Sequence, residues 1–320
     1  MLLGFDIGGT KSAVSLGKET VDKDEIQILS KEIIATSGTP ETMLQKLFSA
    51  AERLLQQIPI TRKEISGIGI SCGGPLSSKK GLILSPPNLP GWDNIPIVSI
   101  CEQHFGIKPV LQNDANACAV AEWKYGAGRG HENIIFLTFG TGMGAGLILN
   151  GQLYSGTTDL AGEVGHLRLA EIGPVGFGKA GSFEGFCSGG GIAQLAQIKV
   201  REKLQMGHEV SFCPTLNDLS LLTAKSVAEA AHNGDPLAKE IYNICGFYLG
   251  RGIALLIDIL NPQVIIIGSI FGRSGSLLSS AMHSVLQQEA LSSAYSDCKI
   301  VPAGLGESIG DYAALSLAAL

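Results

Sequence analysis

The spacing of apolar residues predicts a sheet at the start of the chain, with one helix packed on it. Short apolar or β-branched runs predict strands at 2–7, 12–16, 26–34 and 65–71. After Pro40, apolar residues recur every three or four positions over 43–58, which predicts an amphipathic helix. Segment 72–96 is rich in Gly, Pro, Ser and Asn. It is too long for a simple connection and is therefore a candidate functional loop.

The same alternation starts again after Pro109. Further strands are predicted at 110–112, 133–139, 264–267 and 299–302. Further helices are predicted at 115–125, 224–231, 236–260, 275–291 and 311–320. In each half, an apolar strand runs directly into a glycine-rich turn, at 6–10 and at 139–144. This pattern predicts an α/β protein with two related lobes that face a ligand cleft.

Composition narrows the class of protein. Hydrophobic residues make up 45% of the 320 residues and charged residues 16%, so the chain is expected to fold. The net charge of −6 disfavours a nucleic-acid partner. Asp258, Asn261 and Pro262 interrupt the most apolar stretch, 252–271, so no membrane span is expected. Seven cysteines without a C-x-x-C pair, and no secretory leader, favour the cytoplasm.

Two glycine-rich turns are candidate phosphate sites. In segment 6–11, Gly8 and Gly9 let backbone N–H groups approach a phosphate, and Lys11 adds a cation. A plain hairpin turn explains these residues equally well. The second turn has glycines at four alternate positions, 140, 142, 144 and 146. A packed strand would carry side chains there, so we expect a ligand or another backbone against this turn.

Other local patterns are less specific. The chain contains neither a Walker A motif nor the G-x-G-x-x-G dinucleotide fingerprint. Asp114 stands between a predicted strand and a predicted helix, where an Asp is ordinarily a helix cap. Its place at the carboxyl end of a strand raises the chance of a functional role, because α/β folds bind ligands there.

A third cluster is formed by Glu163, His166 and Glu184. Two carboxylates and an imidazole in glycine-rich sequence suit a ligand with several hydroxyls. A single His is more often a packed or surface residue than a ligand. Zinc is disfavoured, because a structural site needs four Cys or His ligands and only His166 and Cys187 lie in this stretch.

Taken together, five motifs resemble the ROK family of sugar kinases and repressors. They are Asp6-Ile7-Gly8-Gly9-Thr10-Lys11, Pro87-Asn88-Leu89-Pro90-Gly91-Trp92, Asn113-Asp114-Ala115-Asn116, Gly140-Thr141-Gly142-Met143-Gly144 and Gly162-Glu163-Val164-Gly165-His166. The resemblance covers the whole chain and implies the two-lobed actin-like ATPase fold, which is ribonuclease H-like. We expect an N-terminal lobe over 1–113, with helix 305–320 packed back on it, and a C-terminal lobe over 114–304.

The resemblance also implies roles for individual residues. Asp114 would be the general base, and Asp6 would hold Mg²⁺ through water. The phosphates of ATP would be bound by Gly8, Gly9, Thr10, Lys11, Thr141 and Gly142. The sugar would be bound by Gly74, Asn88, Asn113, Glu163, His166 and Glu184. Gly268 would lie in the adenosine-side loop, although the usual second glycine of that loop is Ser269 here.

One departure from the family is plain. Many relatives carry a cysteine cluster that binds zinc, and the matching positions here are Val175, Phe177 and Ser182. We therefore expect ATP and Mg²⁺ as cofactors and no zinc. In the zinc-bearing relatives the metal helps to fix the histidine that meets the sugar, so packing or hydrogen bonds must hold His166 here.

The resemblance leaves a kinase and a repressor to be distinguished. Family repressors carry a DNA-binding domain ahead of the first strand, which here begins at Leu2. We therefore expect a cytoplasmic, homodimeric kinase that phosphorylates a hexose hydroxyl, the 6-hydroxyl of a glucose-like sugar, with neither a nucleic-acid nor a membrane partner. The alternatives are a sugar-binding sensor without catalysis, or a kinase for an N-acetylhexosamine or fructose.

Overall fold

A computed structural model describes residues 1–22, 24–58 and 62–320. The chain divides into two compact units, each formed by residues that lie close together in space. Unit 1 consists of Met1–Phe136, Gly146–Ala161 and Gly304–Leu320, and unit 2 of Leu137–Ala145 and Gly162–Ala303. The lobe boundaries expected from the sequence stay a prediction.

The described residues form strands and helices in alternation. The strands are β1 (Leu2–Ile7), β2 (Lys11–Glu19), β3 (Ile26–Ala35), β4 (Gly67–Cys72), β5 (Leu76–Ser77), β6 (Leu82–Ile83), β7 (Val110–Asn113), β8 (Ile134–Leu137), β9 (Ala145–Leu149), β10 (Gln152–Leu153), β11 (Val175–Gly176), β12 (Lys179–Ala180), β13 (Val264–Ile267) and β14 (Lys299–Pro302). The helices are α1 (Pro40–Gln57), α2 (Ile97–Phe105), α3 (Asp114–Tyr125), α4 (Phe183–Phe186), α5 (Gly189–Gln205), α6 (Ala224–His232), α7 (Pro236–Leu260), α8 (Ile270–Glu289), α9 (Ser292–Asp297) and α10 (Ile309–Ala318).

The first five-stranded sheet has the order β3-β2-β1-β4-β7. β1 pairs antiparallel with β2, whereas β1, β4 and β7 run parallel to one another. Asp6 is in register with Ser71, and Ser71 with Gln112. The carboxyl ends of these three strands therefore share one edge of the sheet. Residues that follow the strands are brought together at this edge.

Helix α10 lies directly on one face of this sheet. A β-carbon on Gly69 would stand 2.0 Å from the carbonyl oxygen of Ala314, so only glycine allows this approach. On the other face, the ring of Phe5 contacts Phe48 of α1 and Phe105 of α2. Successive side chains of a strand point to opposite faces of the sheet. Gly4 therefore faces α10, and its neighbour Phe5 faces the aromatic core on the other side.

The second five-stranded sheet has the order β10-β9-β8-β13-β14, and in unit 2 its strands β13 and β14 are parallel. Helix α7 packs along α8 through small residues. A β-carbon on Gly246 would lie 2.6 Å from the carbonyl oxygen of Leu278, and one on Gly250 would lie 2.7 Å from that of Met282. These glycines let the two helices approach closely.

Helix α7 also has the length and apolarity of a membrane span, alone among the helices of the described residues. Half of its most apolar 18-residue window is buried inside the protein. Core helices of soluble proteins meet the same criteria, so this is weak evidence for a span.

Most predicted elements are confirmed. The strands predicted at 2–7, 264–267 and 299–302, and the helix at 236–260, have the predicted bounds. The helix predicted from 275 begins at Ile270, and Ser274 inside it is non-helical. Four helices, α2, α4, α5 and α9, were not among the predicted elements.

Candidate active site

The first glycine-rich turn joins β1 to β2 and is a hairpin turn, as the simpler interpretation holds. Its shape is fixed by backbone and hydroxyl contacts. The hydroxyl of Thr36 donates to the carbonyl oxygen of Gly8 at 2.6 Å. A β-carbon on Gly9 would stand 2.3 Å from the carbonyl oxygen of Asn88. Glycine is therefore required at residue 9, and loop residue Asn88 lies against the turn.

The loop that follows β4 reaches the same place. A β-carbon on Gly73 would stand 3.1 Å from the side-chain nitrogen of Asn88. The Gly74–Pro75 peptide bond is cis, and a β-carbon on Gly74 would meet no atom within 4 Å. Unit 1 thus brings Gly73, Asn88 and the β1–β2 turn together, with Gly74 next to Gly73 in the same loop.

Asn113 and Asp114 lie where β7 passes into α3. The interpretation of Asp114 as the helix cap is wrong, because the cap is Asn113, whose side-chain oxygen accepts from the N–H of Asn116 at 2.7 Å. Asp114 is the first helical residue, and its Oδ1 accepts from the N–H of Ala115 at 2.8 Å. Its side chain is exposed. The surrounding protein atoms still desolvate the carboxylate, which raises the pKa of Asp114, although the hydrogen bond from the N–H of Ala115 lowers it.

Asp6 is the second-last residue of β1 and lies at the same sheet edge. Burial raises the pKa of Asp6 to about 6, and the charge of Asp114 adds to this rise. The charge of Asp311, in the first turn of α10, has the same direction. Asp311 pairs with Lys31 at 2.5 Å. It was missed in the sequence because only the packing of α10 brings it near Asp6.

The second glycine-rich turn, in unit 2, is held by a side chain. The N–H of Met143 donates to Oε2 of Glu184 at 3.0 Å. A β-carbon on Gly142 would stand 2.7 Å from the same oxygen. The expected close neighbour is therefore a carboxylate at Gly142. At Gly146 it is another backbone, since the carbonyl oxygen of Ala115 would lie 2.3 Å from a β-carbon there.

Segment 163–166 packs on this turn through Gly165. A β-carbon there would stand 2.2 Å from the carbonyl oxygen of Met143. The side chains of Glu163 and His166, on either side, are exposed. Unit 2 thus brings the predicted residues together around one turn, namely Thr141, Gly142, Glu163, His166 and Glu184.

A cavity of about 780 Å³ lies in unit 2 beside Thr141. Gly268 directly follows β13, and its N–H donates to the carbonyl oxygen of Leu137 at 2.9 Å. The next residue, Ser269, has φ +51° and ψ −106°, a conformation that favours glycine. Ser269 lines the cavity and accepts from Arg273 at 3.2 Å. Other lining residues that the sequence did not reveal are Thr223, Lys225, Glu229 and Arg273.

Side chains that could bind a metal ion do not cluster in the part of the chain that the structure describes. Over residues 1–22, 24–58 and 62–320, no group of three or more His, Cys, Asp or Glu side chains could hold an ion. At the positions that match the zinc cluster, Val175 and Phe177 offer no donor atom in their side chains. The hydroxyl of Ser182 accepts from the N–H of Gly185 at 3.0 Å and caps α4. These residues do not fit a zinc site.

The chain is similar in sequence to a glucokinase and to a repressor. A glucokinase from Streptomyces coelicolor is 31% identical over 279 residues, which are 87% of this chain and 84% of that protein. A xylose repressor from Caldicellulosiruptor bescii is 31% identical over 262 residues, or 81% of this chain and 64% of the repressor. A glucokinase and a repressor are therefore both among the relatives.

A solved structure confirms the predicted fold class. The ROK family glucokinase from Streptomyces griseus, in complex with glucose and AMPPNP, superposes with a TM-score of 0.75 at 27% identity, and the match covers 99% of each chain. The fold is the α/β, two-lobed actin-like ATPase fold. The sequence profile of the ROK family matches residues 2–319. The chain therefore belongs to the ROK family.

Proposed function

We propose that this protein is an ATP-dependent sugar kinase, which transfers the γ-phosphoryl group of ATP to the 6-hydroxyl of a glucose-like hexose. The observation that carries the proposal is Asp114. It stands at the carboxyl end of β7, oriented by its own helix, with a raised pKa and with Asp6 nearby. An exposed, oriented carboxylate of raised basicity is suited to accept a proton.

Asp114 acts as the general base in this proposal. It accepts a hydrogen bond from the sugar hydroxyl and takes its proton as the new O–P bond forms and the bond to the leaving ADP breaks. The base needs only to orient the nucleophile and receive the proton. Most of the rate enhancement comes from alignment and from neutralising the charge on the phosphoryl group.

The phosphates are bound by backbone N–H groups and one cation. The residues proposed for this role are Gly8, Gly9, Thr10, Lys11, Thr141 and Gly142. When bound, Mg²⁺ neutralises charge on the phosphate oxygens. No group of three acidic or histidine ligands occurs in the part of the chain that the structure describes, so Asp6 would hold the ion through water.

Six residues are proposed to bind the sugar. The residues are Gly74, Asn88, Asn113, Glu163, His166 and Glu184. Glu184 already accepts from the N–H of Met143, and a carboxylate has lone pairs for further donors. The same carboxylate can thus hold the phosphate turn and accept from a sugar hydroxyl.

The adenosine of ATP is proposed to occupy the cavity in unit 2, beside Gly268. Its volume of about 780 Å³ lies in the range of small-molecule sites. Its wall combines apolar side chains, such as Ile270, with the polar groups of Thr223 and Glu229. A flat base between apolar surfaces, with a ribose near polar groups, suits such a lining.

The remaining parts of the proposal concern the cellular setting. We infer a cytoplasmic homodimer whose partner is a small sugar and not a nucleic acid or a membrane. The net charge of −6 supports the absence of a nucleic-acid partner.

The second candidate is a sugar-binding sensor without catalysis. The similarity to a xylose repressor over 81% of this chain favours it. Such a protein would bind sugar and leave ATP intact. A kinase for an N-acetylhexosamine or fructose is a variant of the main proposal. Discrimination between sugars depends on the exact positions of the polar groups that contact their hydroxyls.

Asp114→Asn tests the main proposal. The amide keeps the size and polarity of the side chain but cannot accept the proton, so kcat should fall by about 10²-fold or more. Sugar affinity should change little. Steady-state kinetics and calorimetry of sugar binding measure both, and Asp297→Asn, an exposed acid on α9, is the matched control. Near-native turnover in Asp114→Asn would remove Asp114 from its role.

A further inference from the structure

The hairpin of β11 and β12 has an unusual residue at its tip. Val175 pairs with Ala180 and Gly176 with Lys179, which leaves a two-residue turn formed by Phe177 and Gly178. Both turn residues have positive φ, 44° and 75°. Turns of this kind favour Asn, Asp or Gly, whereas a bulky side chain at positive φ is strained. Such strain persists only where the surrounding structure maintains it.

The ring of Phe177 contacts the imidazole of His166. The two ring centroids are 5.2 Å apart and the ring planes meet at 79°, an edge-to-face arrangement that aromatic pairs favour. The Phe177 side chain is 69% exposed, so core packing does not explain its place. The ring instead contacts His166, which is expected to bind the sugar.

The hairpin is fastened to the segment that carries His166. Lys179 donates from Nζ to the carbonyl oxygen of His166 at 2.7 Å. Arg168, two residues on, donates to the carbonyl oxygen of Ala180 at 2.9 Å. These two bonds tie β12 to the backbone on either side of residue 167. The tip of the hairpin is thereby held beside the imidazole.

The same hairpin lies against Glu184. A β-carbon on Gly176 would stand 2.6 Å from the N–H nitrogen of Gly185 and 2.8 Å from the β-carbon of Glu184. The hydroxyl of Ser182 caps the short helix that carries this glutamate. The hairpin therefore supports two of the proposed sugar-binding side chains, His166 and Glu184, by packing and hydrogen bonds.

We propose that Phe177 is the positioning residue of His166, and that its ring fixes the imidazole in the orientation that meets a sugar hydroxyl. This inference rests on the proposed role of His166. The side chains of the hairpin cannot fix His166 by binding a metal, and the contact between the two rings fixes it instead. The strained backbone at residue 177 is maintained because it directs the ring toward His166.

Three substitutions test this role. Phe177→Leu keeps apolar bulk but removes the ring, and Phe177→Tyr restores a ring. Val175→Ala removes the other exposed apolar side chain of the hairpin and is the matched control. Loss of a group that orients a metal-ligating histidine typically costs about 10- to 100-fold in affinity or activity, and by analogy KM for the sugar should rise about tenfold in Phe177→Leu. KM for ATP should stay unchanged, and Phe177→Tyr and Val175→Ala should behave as the native protein.

A second readout does not depend on catalysis. The ring protons of the six histidines can be followed by NMR, with His166 assigned from its loss in His166→Gln. In Phe177→Leu only the His166 resonances should move. Phe177→Gly, which suits the positive φ, gives a folded variant without the ring if Phe177→Leu fails to fold.

The outcomes separate the two proposals. Unmoved His166 resonances, or an unchanged sugar KM in Phe177→Leu, would overturn the positioning role. A failure of the proposed function would appear instead as absence of sugar-dependent turnover in the native protein, and the NMR experiment would still decide on Phe177. An equal rise of KM in Val175→Ala would also count against the role, because it would point to general loosening of the hairpin.

Discussion

The two glycine-rich turns look alike in sequence but are held in different ways. In unit 1, the turn at Gly9 rests on the backbone carbonyl of Asn88 and cannot shift without moving a main chain. In unit 2, the turn at Gly142 rests on the carboxylate of Glu184, the mobile end of a side chain. The first support is rigid and the second adjustable.

The difference suggests how the two turns contribute to function. A rigid turn holds a fixed array of N–H groups, as a phosphate site requires. A turn held by Glu184 is linked to whatever else that carboxylate binds. If Glu184 also accepts from the sugar, as proposed, sugar binding and the position of the second turn depend on one another.

Gly9→Ala should break the rigid turn and have the largest effect. Its β-carbon would lie 2.3 Å from the carbonyl oxygen of Asn88, so the backbone must move. Displacement of about 1 Å at a reacting group can cost about 10²-fold, and we expect at least that loss in kcat/KM. Kinetics with ATP and sugar measure it. Gly272→Ala is the control, because its β-carbon meets no atom within 4 Å.

Gly142→Ala should have a smaller effect than Gly9→Ala, because the support of the second turn is adjustable. The carboxylate of Glu184 can turn away from a new β-carbon, at the cost of its bond to the N–H of Met143. A hydrogen bond to a charged group contributes about 1.5–3 kcal/mol, and we expect the lower end of this range, a loss of about tenfold in kcat/KM. KM should rise for both ATP and sugar. A loss as large as in Gly9→Ala would show that the second turn is equally rigid.

Ser269→Gly should have the smallest effect, and a favourable one on stability. Ser269 adopts φ +51° and ψ −106°, and glycine relieves this strain. After the entropy cost of glycine, a gain of about 1 kcal/mol, or about 2 °C in Tm, is expected from thermal unfolding. Both Ser269→Gly and Ser269→Ala lose the hydrogen bond from Arg273, but Ser269→Ala also keeps the strain, so it should not be stabilised. Equal stability of the two variants would contradict this account.

Local patterns predicted most of the fold. Strands with apolar or β-branched runs, such as 264–267, and the long helix 236–260 were found with their bounds, because burial and periodicity agree there. Helix α5 was missed because it starts with three glycines, which normally mark a loop. Its start is a helix because Ser188 caps it and because Gly191 packs where a β-carbon would stand 2.1 Å from the carbonyl oxygen of Gly185.

The candidate site was predictable in its motifs but not in its supports. Sequence identified Asp6, Asp114 and Glu184 as candidates by type and neighbourhood. It could not show that Asp311 lies near Asp6, or that Glu184 holds the N–H of Met143. Those contacts join residues far apart in the chain, and only the packing of helices on the sheet creates them.

The central claim is that this ROK protein phosphorylates a hexose. The most direct measurement is ADP release from ATP and Mg²⁺, coupled to an indicator enzyme, across glucose, mannose, fructose, allose, N-acetylglucosamine and N-acetylmannosamine, with and without a zinc chelator. We expect turnover that depends on sugar, is fastest with glucose and is unaffected by the chelator. Absence of turnover with every sugar, while ATP or sugar still binds, would contradict the claim and favour a sensor.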